Sequence, residues 1–105
     1  MAEKTIGGTT VTVDDDGFLM DPDQWTKEVA AGLAQEVGID PLTDRHWAVL
    51  DFIRTDAVEQ GEAPGVRRIT KLTDVSMKEI YQLFPKGPGI LASKIAGYGK
   101  PQGCV

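Results

Sequence analysis

The sequence predicts a mainly α-helical single domain with a small N-terminal β-hairpin and a projecting C-terminal arm. Three observations lead there. β-branched runs flank Gly7-Gly8, a series of capped segments with helical apolar spacing runs from Asp21 to Ala96, and the stretch from Gly97 to Val105 follows no apolar period. At 105 residues, 41% hydrophobic and 26% charged, the chain can bury one modest core and has no room for a second.

Taken in order, Lys4-Thr5-Ile6 and Thr9-Thr10-Val11-Thr12-Val13 read as two short strands joined by a Gly-Gly turn. Asp14 to Gly17 turns the chain again. Asp21 can cap a helix with Pro22 in its first position and Gln24 completing a capping box, and Trp25, Val29 and Leu33 then recur every four residues until Gly38. Thr43 caps a longer helix whose Trp47, Leu50, Ile53 and Ala57 form one apolar stripe, widened by Val49 and Phe52, before Gly61 stops it. Val66 to Leu72 reads as a short helix. Ser76 with Glu79 makes a second capping box leading into Met77, Ile80, Tyr81 and Phe84, and Pro85 closes that segment. After the turn Gly87-Pro88-Gly89, Ile90 to Ala96 forms the last helix. The domain is therefore expected to span 1–96, with 97–105 as a mobile arm.

A net charge of −5 argues against broad binding to nucleic acid or anionic membrane, since both need a cationic surface. No apolar run is long enough to span a bilayer and the N-terminus lacks a secretory pattern, so a cytoplasmic location is expected. One cysteine cannot close an internal disulfide, which agrees with a reducing compartment. The charges are uneven: Asp14, Asp15, Asp16, Asp21 and Asp23 crowd the first quarter, whereas beyond Glu79 only Lys86, Lys94 and Lys100 are charged.

The single thiol, Cys104, stands next to the last residue, away from every apolar period. Its chemistry depends on the thiolate, which the neighbouring terminal carboxylate disfavours. Lys94 and Lys100 are the nearest cations in sequence to offset that carboxylate, and Arg67 or Arg68 can join if the arm folds back. A thiolate on a tether suits a carrier that attacks a sulfane donor, holds the sulfur as a persulfide and passes it on.

Leu83-Phe84-Pro85-Lys86-Gly87-Pro88-Gly89, Lys94-Ile95-Ala96-Gly97 and Lys100-Pro101-Gln102-Gly103-Cys104-Val105 resemble the DsrC/TusE family. The resemblance extends to Asp16-Gly17-Phe18-Leu19, Trp25, His46-Trp47 and Ala63-Pro64-Gly65-Val66-Arg67. It implies an orthogonal helical bundle with a helix-turn-helix-like element. It also implies that Cys104 is the sulfur-bearing residue, with Arg67 beside the docked arm and Lys94 and Lys100 assisting. The family includes the gamma subunit of dissimilatory sulfite reductase and the sulfur relay protein of transfer-RNA 2-thiouridine synthesis, so sulfurtransferase or sulfite reductase proteins are the implied partners. Members serving sulfite reductase carry a second cysteine eleven residues before the last; here that position is Ser93. A hydroxyl forms no disulfide, so persulfide carriage or mixed disulfides remain. Members devoted to transfer-RNA thiolation also lack that cysteine, but many carry an insertion before Leu-Phe-Pro that is missing here. The expected role is a sulfur carrier, a co-substrate more than an enzyme. The alternatives are an accessory gamma-type subunit of sulfite reductase and a sulfur-responsive DNA-binding regulator using Arg67, Arg68, Lys71 and Lys78 on phosphates.

No cofactor or metal is expected. His46 has no second ligand nearby, the alternation of a calcium loop fails at Phe18, and Gly87-Pro88-Gly89 lacks the Gly-Lys-Ser/Thr of a phosphate loop. Trp25, Trp47 and Phe52 read as core.

Overall fold

The computed structural model describes residues 2–99. Strands β1 (Ala2–Ile6) and β2 (Thr9–Val13) pair antiparallel with Ala2 opposite Val13 and Ile6 opposite Thr9. The turn uses Gly7 and Gly8 at φ 58° and 81°, a combination only glycine adopts at no steric cost. A 3₁₀ turn at Pro22–Gln24 follows, then α1 (Lys27–Glu36), α2 (Asp44–Gln60), α3 (Val66–Leu72), α4 (Met77–Leu83) and α5 (Pro88–Ile95). The mainly helical fold with an N-terminal hairpin is as expected. Among the described residues, no helix is long and apolar enough to cross a membrane.

The first helix begins later than its sequence signals predict. Asp21 accepts from the Asp23 amide and caps only the 3₁₀ turn. Gln24 does not complete a box: its Oε1 accepts from the Thr12 amide at 2.8 Å, tying the loop to β2. Thr26 then caps α1 through the Val29 amide. The break at Trp25 frees its indole to reach α5, a long-range contact that outweighs local helix continuity. At Ser76 half of the predicted box forms, the serine accepting from the Glu79 amide, while the Glu79 carboxylate turns instead to Arg45.

α2 carries the organising cap. Thr43 accepts from the His46 amide, and His46 Nδ1 accepts the Thr43 N–H at 3.0 Å. That assignment puts the ring proton on Nε2, which donates to the Leu83 carbonyl at 2.9 Å. The buried His46 thus joins the start of α2 to the end of α4, edge-on to Phe84. Leu33, Leu50, Ile53, Ile69, Ile80, Phe84 and Ile95 form the fully buried centre, each contributing roughly 1.5–3 kcal/mol of apolar burial. α1 and α2 both pack on α5, so the helix leading to the C-terminus is held from two sides.

Candidate functional site at the root of the arm

α5 begins with Lys86 and Gly87 in left-handed conformation and Pro88 in its first turn. It ends in a Schellman closure: the Tyr98 amide donates to the Ser93 carbonyl at 3.0 Å and the Gly97 amide to Lys94 at 3.1 Å. Gly97 sits at φ 86°, and a Cβ there would lie 2.7 Å from Trp25 Cδ1. Glycine is required twice over, for backbone conformation and for space.

Three side chains fasten this end. Trp25 Nε1 donates to the Ile95 carbonyl at 2.8 Å. Arg54, partly buried on α2, donates to the carbonyls of Ala96 at 2.8 Å and Pro22 at 3.2 Å. Its guanidinium lies 4.2 Å from the Trp25 ring centroid and 5.3 Å from that of Tyr98. Ser93, fully buried, donates its hydroxyl to the Gly99 carbonyl. The first three residues of the expected arm, Gly97 to Gly99, are therefore seated on the domain.

Of the site residues expected from sequence, Ser93 and Lys94 come together here. Lys94 extends over the Phe18 ring, its Nζ 5.7 Å from the centroid and against Gly17. The acidic stretch of sequence, which supplies Gly17, Phe18 and Pro22, thus lies beside the cation-bearing end of α5. Arg67 sits elsewhere on the surface. It lines a cleft of about 280 Å³ with Asp56, Gln60, Pro64 and Arg68, to which neither Ser93 nor Lys94 contributes. Arg68 is committed within that cleft, forking onto the buried Asp56 at 2.7 and 2.8 Å. Its guanidinium holds the Asp56 carboxyl below the usual range, mainly through these hydrogen bonds. Among the described residues no ion pair engages Arg67. Lys100 and Cys104 lie outside the described residues.

Sequence reasoning missed Arg54 altogether and placed Trp25 in the core. Nothing in the local pattern marks Arg54, because its partners stand 32 and 42 residues away. At the α3–α4 turn considered for DNA contact, Arg45 grips both Asp74 and Glu79. Among the described residues no three His, Asp or Glu side chains converge as metal ligands.

Comparison with known proteins supplies the wider context. The family model described as DsrC like protein matches residues 5–105. The chain is 42% identical, over the full length of both, to the dissimilatory-type sulfite reductase subunit gamma of Nitratidesulfovibrio vulgaris. It is 38% identical to the sulfurtransferase TusE of Pectobacterium atrosepticum, over 93% of this chain and 95% of that one. Its fold superposes on the crystal structure of dissimilatory sulfite reductase I (DsrI) with a TM-score of 0.88 at 40% identity, covering 99% of this chain and 100% of the other. On sequence and on fold alike, the chain belongs to the DsrC-like family.

Proposed function

We propose that this protein is a sulfur carrier that accepts and donates sulfane sulfur as a persulfide on Cys104. The observation that carries the reading is that the family match over residues 5–105 takes in the only thiol of the sequence, Cys104, in a family whose members are named for sulfite reduction and sulfur transfer. In the loading step the Cys104 thiolate attacks the sulfane sulfur of a donor persulfide, R–S–SH. The new bond joins Cys104 to that sulfur, the donor S–S bond breaks, and R–S⁻ leaves with the electron pair, so no net oxidation occurs. Unloading is the same exchange with an acceptor thiolate.

Lys94 and Lys100, with Arg67 where the arm reaches it, supply positive potential to favour the thiolate and persulfide anion. The partners are sulfurtransferase or sulfite reductase proteins of a sulfur-transfer route, and the setting is cytoplasmic. Ser93 denies the chain an internal partner thiol, so its second sulfur must come from outside.

Incubation with a persulfide donor followed by intact mass spectrometry tests this. One added sulfur on the unaltered chain, and none on Cys104→Ala, is the expected result; an unchanged mass would sink the carrier reading. A second reading, an accessory subunit of a sulfite reductase, draws on the full-length match to a gamma subunit. Co-purification with haem-containing chains would favour it.

A further inference from the structure

Arg54 has no part in the chemistry above, yet it is the most heavily engaged cation at the arm's root. Among the described residues it has no carboxylate partner. Its donors go instead to two backbone carbonyls, and both ring contacts lie around the same guanidinium. A partly desolvated cation without a counter-ion is costly unless its donors are satisfied and it faces a favourable field. The carbonyl end of α5 supplies that field, and the planar fork fits two carbonyls while stacking on aromatic faces. The result ties the loop before α1, the middle of α2 and the residues after α5 to one another.

We propose that Arg54 is a positioning residue for Cys104. It fixes Ala96 to Tyr98 against Trp25 and, with Ser93 holding Gly99, sets a defined point five residues before the thiol. The proposal rests on the carrier reading of Cys104. From Gly99 the thiol-bearing residue is five peptide steps away, a span of at most about 18 Å; from Gly97 it would be seven steps and about 25 Å. The upper bound on the volume within which the thiol can lie is thereby roughly threefold smaller. The thiol is kept within that distance of the end of α5, so a donor protein that meets it also approaches Trp25, Tyr98 and the acidic loop. Lysine cannot replace Arg54, since one ammonium on a flexible stem cannot bond both carbonyls and stack on both rings.

The test compares the unaltered chain with Arg54→Gln and Arg54→Lys, and with Tyr98→Ala, at a half-buried position on the rim of the core, should the first two fold poorly. Backbone ¹⁵N relaxation reads the order of the Tyr98 and Gly99 amides. Mass spectrometry reads the rate at which Cys104 gains sulfur from glutathione persulfide and from a thiosulfate-loaded rhodanese. In the unaltered chain both amides should be as ordered as α5, with order parameters near about 0.85, falling below about 0.6 in every variant. Loading from glutathione persulfide should stay within about 1.5-fold, because a small donor needs no docking geometry, whereas loading from the protein donor should fall about threefold, in proportion to the enlarged volume. Loose Tyr98 and Gly99 amides in the unaltered chain, or order unaffected by Arg54→Gln, would overturn the clamp. Parallel changes with both donors, or with neither, would overturn the positioning role. If the unaltered chain gains sulfur from neither donor, the carrier reading falls while the relaxation data still judge the clamp.

Discussion

Replacing Gly32 by alanine sets two opposing effects against each other, and the geometry decides between them. Gly32 lies inside α1, where alanine is worth about 1 kcal/mol more than glycine in helix propensity. The added methyl would meet Ile6 Cγ2 at 2.5 Å, however, with the Gly7 amide nitrogen next at 3.3 Å. Ordinary contact begins nearly an ångström further out, so β1 must shift or Ile6 must leave its rotamer. Such overpacking costs about 1–3 kcal/mol. The net expectation is a loss of about 1 kcal/mol, or about 5 °C in Tm for a domain of this size. In an Ile6→Ala background the obstructing carbon is gone and the sign should reverse, Gly32→Ala then stabilising by about 0.5–1 kcal/mol. Urea unfolding followed by far-UV circular dichroism on the four proteins of this cycle measures both signs. Stabilisation of the unaltered chain by Gly32→Ala, or the same cost in both backgrounds, would refute the packing argument.

Asp56 gives a pH prediction. Its folded-state pKa is depressed by Arg68, so the stability it contributes is present above the unfolded aspartate pKa of about 3.9 and is lost as pH falls through the folded value. Asp56→Asn should therefore lower the urea midpoint at neutral pH, and the two proteins should converge on acidification below about pH 4. Parallel pH profiles would contradict this. Removing His46 should be costly, since its ring satisfies the Thr43 amide and the Leu83 carbonyl while buried beside Phe84. His46→Ala is expected to lose about 3 kcal/mol, from two hydrogen bonds and a vacated site, and a loss under about 1 kcal/mol in urea unfolding would show the link to be unimportant.

Elements whose signals are local were legible in the sequence. The Gly7-Gly8 turn, the Thr43 and Gly61 caps of α2, and the Ser76 start of α4 all depend on residues within a few positions of each other, and all formed. The start of α1 was misplaced because its deciding contacts, Trp25 to Ile95 and Gln24 to Thr12, are 70 and 12 residues apart. Glu79 was half right for the same reason: its carboxylate answers Arg45, 34 residues away. The apolar pattern predicted which face of α2 enters the core but carried no information about Arg54. A polar residue beside an apolar stripe looks solvated until the fold brings carbonyls to it.

Ser93 shows how far a residue's meaning depends on what surrounds it. Read as a gap in a two-thiol pattern, it is defined by the chemistry it cannot do. In the fold its hydroxyl is fully buried and satisfied by Gly99, while its own carbonyl receives the Tyr98 amide. A thiol there would donate a weaker hydrogen bond to the same carbonyl. A serine hydroxyl at this position therefore holds Gly99 more firmly than a thiol would. On the proposed carrier reading sulfur is exchanged only with other proteins, so no internal partner is needed, while a fixed Gly99 limits how far Cys104 can lie from the domain. The Ser93 hydroxyl and the Arg54 guanidinium then act together, one on Gly99 and the other on Ala96.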